Sequence, residues 1–287
     1  MRIGICTTDF TARPADTLFA DIARMGYECV QFSFASVTES GFLAGPALEI
    51  PPEIAPETIA CVKAASQRYA LPIQTINGTF NMAHPDPEIR REGVRRFELL
   101  ADAALALDCP ILSLCTGTRN TDSLWRPHPD NEGEAAWRDS AETMRALCAI
   151  AEARSLTLAI ETEASNVVRT ARRARRMIDE MGSPALKMIL DAANLFLPGT
   201  ARPENVVPRL EEAFQEFGRD IVLAHGKDIR AGEGIDFCAT GLGIVDFDLM
   251  LKRLAELGFA GDMMLHGIYD EADMPRALAF MREKLGR

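Results

Sequence analysis

The sequence lacks the features of a membrane-bound or exported protein. No apolar run approaches the ~20 residues that a membrane-spanning helix needs, and the segment Met1 to Cys6 has neither the apolar stretch nor the cleavage site of a signal peptide. The seven cysteines form no Cys-x-x-Cys pair, and most lie in apolar runs. We therefore expect reduced thiols in a cytoplasmic protein that does not bind membranes.

Positive charge is also scarce. Lys and Arg total 31 against 42 for Asp and Glu, which gives a formal net charge of −11. Binding to nucleic acid needs a basic surface that displaces the counterions of the phosphate backbone. The composition therefore argues against a nucleic-acid partner, whereas the 47% apolar content is enough for a sizeable core.

No linker rich in glycine, serine or proline divides the chain, so we expect one domain over residues 1–287. Eight short apolar runs are typical of buried strands: Arg2–Thr7, Cys29–Phe34, Pro72–Asn77, Pro110–Cys115, Leu156–Glu161, Leu186–Asp191, Ile221–His225 and Asp262–His266. Each is followed by a helical pattern: Pro14–Met25, Pro56–Tyr69, Pro87–Leu107, Glu132–Ala153, Val167–Met181, Pro203–Phe217, Phe247–Leu257 and Met274–Leu285. Eight such units predict an α/β fold, a single (β/α)8 TIM barrel.

An open, doubly wound sheet is the alternative fold. Such a sheet usually has a glycine-rich phosphate turn after its first strand. Here that turn is Thr7-Thr-Asp-Phe-Thr-Ala-Arg13, which contains no glycine. The barrel is therefore the favoured prediction.

Two of the apolar runs end in a carboxylate, Glu161 and Asp191, and the helical segment Val167–Met181 lies between them. A strand, a crossover helix and a second strand form a βαβ unit, which places both acids at the carboxyl ends of neighbouring parallel strands. Barrels and open α/β sheets both carry their functional sites there. The alternative is structural, because acids at strand ends also cap the next helix or pair with an arginine.

The four histidines, His84, His128, His225 and His266, each come at or just after the end of a predicted strand. In a barrel the ends of strands five to eight are adjacent, and they carry Glu161, Asp191, His225 and His266. Two carboxylates and two imidazoles suit one divalent metal ion, such as Mn²⁺, Zn²⁺, Co²⁺ or Mg²⁺. In an open sheet the four side chains need not meet.

The strand ends also carry family motifs. They are Ile160-Glu161, Leu190-Asp191-Ala-Ala-Asn194 and His225-Gly-Lys227-Asp228. In these motifs the chain resembles the xylose isomerase-like TIM-barrel superfamily, the sugar phosphate isomerase/epimerase group, over nearly its whole length. The resemblance implies that Glu161, Asp191 and His225 bind metal. The family's fourth ligand is a Glu that ends strand eight, and His266 replaces it here.

The resemblance further implies a small-molecule carbohydrate partner and a divalent-metal-dependent sugar or sugar phosphate isomerase or epimerase that acts through an enediolate. The family's epimerases use glutamates at the ends of strands five and eight for proton transfer, and this chain keeps only Glu161. Two alternatives therefore stay open. One is a metal-dependent lyase or dehydratase that acts on a keto-sugar or related polyol derivative, and the other is a non-catalytic sugar-binding barrel.

Besides Glu161 and His266, two residues are candidates for catalytic roles. Glu163 lies two positions after Glu161 and should face the same cavity, as a general base. Lys227 lies two positions after His225, where it would stabilise an enediolate or donate a proton. The structural alternatives are an exposed loop acid for Glu163 and an ion pair with Asp228 or Glu163 for Lys227.

Two of the predicted connections between a strand and the next helix are long. They follow strands two and four, from about residue 35 to 55, including Gly41-Phe42-Leu43, and from about 116 to 131. Long connections often form lids or binding loops. The candidate substrate contacts are Asn81, His84, Thr116, Arg119, Trp125 and His128. Gly241-Leu-Gly243 indicates a tight turn, with a phosphate cradle as the weaker alternative. The sequence leaves open whether the chain forms a homo-oligomer.

Overall fold

The computed structural model describes residues 1–37 and 47–287, so Gly41-Phe42-Leu43 lies outside the described residues. Eight parallel strands close into a barrel. They are β1 (Ile3–Cys6), β2 (Cys29–Phe32), β3 (Ile73–Asn77), β4 (Ile111–Leu114), β5 (Thr157–Ile160), β6 (Leu186–Asp191), β7 (Ile221–Gly226) and β10 (Met263–Leu265). The first and last strands pair through Ile3 and Met263. This pairing confirms the predicted TIM barrel and excludes the open sheet.

Eight helices surround the barrel. They are α1 (Ala15–Met25), α2 (Pro56–Arg68), α3 (Pro87–Ala106), α4 (Glu134–Ala153), α5 (Ala171–Met181), α6 (Pro203–Phe217), α7 (Phe247–Glu256) and α8 (Met274–Lys284). The prediction that the fifth helix starts at Val167 is wrong by four residues. The amides of Val167 and Val168 donate to Gly117 and Thr116 instead, and the Thr170 hydroxyl caps α5. These contacts tie the β5–α5 loop to the β4–α4 loop.

A small hairpin interrupts the β7–α7 connection and has no counterpart in the predicted elements. Its strands are β8 (Asp228–Ile229) and β9 (Phe237–Cys238). The buried Asp228 carboxylate accepts hydrogen bonds from the amides of Gly241, Gly243 and Val245. The Gly241-Leu-Gly243 segment is therefore a turn built around Asp228, and two of its amides already have a partner other than phosphate.

The core has two layers. Side chains that point into the barrel, such as Cys6, Ile189 and Met264, form a compact inner cluster, and a larger cluster fills the space between the strands and the helices. Both faces of the strands are therefore buried, as is usual for parallel sheets. Six of the seven free cysteines are buried within these layers or near them. Over the described ranges, no helix combines the length and the apolar character needed to cross a bilayer.

Arg2 and Asp262 hold the seam between the first and last strands at the amino-terminal end of the barrel. The Asp262 carboxylate is buried and accepts from the Arg2 amide at 2.9 Å and from its guanidinium at 2.6 Å. The same guanidinium donates to Gln74 on β3 at 2.7 Å. One ion pair thus connects three strands, although the partial exposure of Arg2 limits its contribution to stability.

Asp262→Asn should lower the free energy of unfolding by about 1–3 kcal/mol. The carboxylate that accepts from the Arg2 guanidinium is lost, and the NH2 group of the new amide is buried facing Arg2. Urea denaturation followed by circular dichroism measures the change. Asp122→Asn, at an exposed position, makes the same charge change and should stay within about 0.5 kcal/mol of the wild type. Equal stability of both variants would show that the seam does not depend on this pair.

Candidate metal centre

Three neighbouring strands bring Glu161, Asp191 and His225 together at the carboxyl end of the barrel. Asp191 and His225 are register partners on β6 and β7, and Glu161 directly follows β5. Their potential ligand atoms all lie within 4.8 Å of one another. His225 Nδ1 lies 3.2 Å from Asp191 Oδ2 and 3.4 Å from Glu161 Oε2. These are three of the four side chains that the sequence predicted to meet.

Other side chains fix the orientation of the three. Asp191 Oδ1 accepts from the amides of Ala193 and Asn194, so the structural alternative of capping the next turn also holds for this acid. Asn194 Nδ2 donates to Glu161 Oε2 at 3.0 Å. On the far side of the imidazole, His225 Nε2 lies 3.0 Å from Gln31 Oε1. Polar partners of this kind set the tautomer and direction of metal ligands.

The electrostatics of the centre follow from the burial of two acids beside an imidazole. Burial favours the neutral acids, but His225 outweighs it for Glu161, and Lys227 together with His225 outweighs it for Asp191, so the pKa of both carboxyls is lowered. Burial likewise opposes protonation of His225, yet the two acids raise its pKa. The cluster therefore favours a cation between its members. Two carboxylates and one imidazole fit a divalent metal ion that takes the place of the imidazolium proton.

His266, the predicted fourth ligand, has a different partner. Its Nδ1 lies 3.0 Å from Asp9 Oδ1, and its ring packs edge-on against His225 with the ring centroids 5.4 Å apart. Asp9 is held in turn by the amide of Ile268. In the part of the chain that the structure describes, the group of potential ligands comprises Glu161, Asp191 and His225 without His266. Ligation by His266 stays a prediction.

A cavity of about 1040 Å³ opens above the centre. Polar and aromatic side chains line it, among them Glu49, Asn77, Trp125, Phe237, His266 and Tyr269. Glu161, Glu163 and Lys227 reach the same cavity. A mostly pre-formed pocket with a few convergent polar groups is the usual form of a small-molecule site.

Glu163 and Lys227 are both buried beside the centre, so the alternative of an exposed loop acid is wrong for Glu163. Its Oε1 accepts from the amide and hydroxyl of Ser165, and burial raises the pKa of the carboxyl although Lys227 opposes the shift. Lys227 Nζ donates to Asn194 at 2.8 Å and lies 3.8 Å from Asp191. Asp228 is occupied by its turn, so the predicted alternative pairing of Lys227 with Asp228 is not observed.

Of the six predicted substrate contacts, Trp125 lines the cavity and the other five have structural partners. Asn81 and Thr116 accept from the amides of Thr118 and Val168 in neighbouring loops. Arg119 forms an ion pair with Asp139 on α4, and His84 and His128 accept from the amides of Asp86 and Asp130 in their own loops. They shape the loops around the cavity. Their direct contact with a substrate stays a prediction.

Sequence reasoning missed several polar residues of the site. Gln31 and Asn77 face inward from β2 and β3, and Glu49 and Asp9 reach the site from loops. The glycine-free turn after the first strand contained Asp9, but its sequence carried no sign that the acid would face His266. A polar residue within an apolar strand, as at Gln31, is the one signal that could have indicated an inward-facing contact.

Comparisons with known proteins agree with the barrel fold. The family model described as "Xylose isomerase-like TIM barrel" matches residues 19–284, so the chain belongs to this family. No curated protein matches the sequence.

Solved structures share the fold at low sequence identity. The 3-keto-D-glucoside 4-epimerase YcjR from E. coli is 17% identical, with a TM-score of 0.74 and coverage of 99% of both chains. D-psicose 3-epimerase from Clostridium cellulolyticum H10, solved with D-tagatose, is 16% identical, with a TM-score of 0.71 and 99% of both chains covered. The IOLI protein, solved with a bound zinc atom, is 14% identical, with a TM-score of 0.72 over 99% of this chain and 96% of that chain.

Glu161→Gln and Asp191→Asn should each lose most of the bound metal while the fold survives, because each removes an anionic ligand. We expect the affinity to fall by at least the roughly 10- to 100-fold that is typical when a residue that only orients a ligand is lost. Metal analysis after dialysis against Mn²⁺ or Zn²⁺ measures the loss. Glu163→Gln, the matched control, should keep its metal. Full occupancy in the Glu161 and Asp191 variants would place the metal elsewhere.

Proposed function

We propose that the protein is a divalent-metal-dependent sugar isomerase or epimerase that acts through an enediolate. The observation that carries the proposal is the convergence of Glu161, Asp191 and His225 beneath a cavity that also receives the buried Glu163. A candidate metal-binding set next to a buried acid can support abstraction of a proton beside a carbonyl. Membership in the family and the sugar epimerases among similar structures support the same reaction class.

The protein residues divide the work as follows. Glu161, Asp191 and His225 would hold the ion, which when bound lowers the pKa of a carbon acid next to a carbonyl. Glu163 takes the proton, and its raised pKa brings it closer to the operating pH, as suits a general base. The Lys227 ammonium places positive charge beside the oxygen that becomes negative. His266, backed by Asp9, contacts a substrate oxygen at the cavity wall or completes the ligand set.

An unphosphorylated carbohydrate fits the cavity best. Four carboxylates of the described residues line it, Glu49, Glu161, Glu163 and Asp236, against the cationic Arg169 and Lys227. Lys227 is already held by Asn194 and Asp191. Arg169 likewise pairs with Glu132 at 2.9 Å, so both lining cations of the described residues already have acidic or amide partners instead of a phosphate. Trp125 and Phe237 offer aromatic faces for a sugar ring, and carboxylates accept from its hydroxyls.

A metal-dependent lyase is the second candidate. The observation in its favour is the pair formed by His266 and Asp9. His266 follows β10, the eighth strand of the barrel, where the family resemblance implies a glutamate. An imidazole backed by a carboxylate can protonate a leaving oxygen β to a carbonyl. The two reactions share the proton abstraction and differ in whether the enediolate is reprotonated or expels that oxygen.

Incubation of the Mn²⁺-loaded protein in D₂O with D-fructose, D-tagatose, D-psicose and methyl 3-keto-D-glucoside separates the candidates. Deuterium incorporation without elimination supports the isomerase or epimerase, and elimination supports the lyase. Binding of these sugars without deuterium exchange would support a non-catalytic sugar-binding barrel. NMR follows both exchange and elimination.

Glu163→Gln should lower the rate of deuterium exchange by about 100-fold or more, because an amide cannot accept the proton. Bound metal should be unchanged, since Glu163 is not among the three ligands. Glu142→Gln, which makes the same change at an exposed position of α4, should behave as the wild type. Full exchange by the Glu163 variant would remove this residue from the proton-transfer role.

A further inference from the structure

Glu49 is an acid of the cavity that the proposed chemistry has not yet used. It lies in the connection between β2 and α2, and its backbone is anchored to the loop after β3. The Glu49 amide donates to the Thr79 carbonyl at 3.1 Å, and the preceding Leu48 forms a bridge with Phe80. The position of this acid is therefore set by main-chain contacts to the loop after β3.

Two neutral donors hold the Glu49 carboxylate. Asn77, the last residue of β3, donates through Nδ2 to Oε2 at 3.0 Å, while its own Oδ1 accepts from the Thr79 amide. Trp125 Nε1 donates to Oε1 at 2.8 Å. An indole nitrogen can only donate, so this contact aims one carboxylate oxygen at the cavity wall. Among the described residues, no Lys or Arg forms an ion pair with Glu49.

Glu49 and Glu163 approach the cavity from different sides. The Glu49 carboxylate sits at the carboxyl end of β3, which in the barrel order lies opposite β7 and is separated from β5 by β4. Glu163 follows β5, beside that centre. Both acids line the same cavity. A substrate seated on the centre would therefore have one acid on the side of β5 and another on the side of β3.

The surroundings of Glu49 favour the protonated carboxyl, which a proton donor needs. Burial raises the pKa of its carboxyl, although Asn77 and Trp125 oppose the shift. The charged groups that act on it across the cavity are Glu161, which raises the pKa, and His266, which lowers it. A larger fraction of Glu49 therefore carries its proton near neutral pH than would be so for an exposed glutamate.

We propose that Glu49 is a second proton-transfer residue, which delivers a proton to the enediolate from the side of β3, whereas Glu163 acts from the side of β5. The inference rests on the proposed isomerase or epimerase function. Glu163 breaks one C–H bond and keeps the proton, and the electron pair remains in the enediolate. The Glu49 carboxyl then breaks its O–H bond as a new C–H bond forms. Proton exchange with water returns both carboxyls to their starting states, and nothing is oxidised or reduced.

Glu49→Gln tests the inference in the full-length, Mn²⁺-loaded protein. The probes are the same three ketohexoses and methyl 3-keto-D-glucoside in D₂O. For the sugar that the wild type converts, the variant should lose conversion to product by about 100-fold or more. Deuterium wash-in to the starting sugar should stay within about threefold, because Glu163 still removes and returns the proton. Bound metal should be unchanged.

Glu53→Gln is the matched control, since Glu53 is an exposed acid of the same connection, and it should convert the sugar as the wild type does. Should Glu49→Gln fail to fold, Glu49→Asp carries the test, and its conversion should fall by more than its wash-in. Conversion at the wild-type rate by a folded Glu49→Gln overturns the inference. An equal fall of conversion and wash-in also overturns it, because that result indicates a structural role. A wild type that neither exchanges nor converts any probe overturns the proposed function and this inference with it.

Discussion

The site depends on one constraint, the burial of two carboxylates at adjacent strand ends. Glu161 and Asp191 lose most of their water when the barrel closes, and burying an unpaired charge is costly. His225 and Lys227 supply the compensating positive charge from the next strand, and Asn194 bridges Glu161 and Lys227 through its amide. The centre is stable in the fold only because a cation stands beside these acids. The same requirement makes it a candidate site for a divalent ion.

The loops of the carboxyl face are tied to each other rather than free. The Asn131 side chain accepts from Thr118 and donates to the carbonyl of Ser165, and the Asn166 side chain accepts from the amide of Gly117. The Asn81 side chain accepts from the Thr118 amide, so three successive βα connections are linked. Three of the predicted substrate contacts, Asn81, Thr116 and Arg119, belong to this framework. A polar residue near a site can contact the substrate, or it can hold in place the loop that contacts the substrate. Spacing in the sequence does not distinguish these two roles.

The features that depend on the periodicity of apolar residues could be predicted from the sequence. Strands that alternate with helices predict a barrel, and the last residue of a strand must lie at its carboxyl end, so Glu161, Asp191 and His225 could be placed together without coordinates. Glu49 and Asp9 could not, because the path of a loop is decided by long-range contacts such as that of Glu49 with Thr79. The partner of His266 was missed for the same reason. The hairpin of β8 and β9 was too short to produce a periodic pattern.

His266 follows β10, the eighth strand of the barrel, where the family resemblance implies a glutamate, and a neutral imidazole there would make the cavity less negative. The Nδ1 atom of His266 faces Asp9, so one ring nitrogen is engaged outside the metal centre. Asp9, which follows β1, and His266, which follows β10, therefore form a separate hydrogen-bonded pair. A divalent ion held by Glu161, Asp191 and His225 would have two carboxylate ligands, so less ligand charge would offset it than with three. It would polarise a carbonyl more strongly, but the centre would have one acid fewer for moving protons. An acid held by neutral donors on the side of β3, as Glu49 is, can restore that function without adding negative charge to the metal.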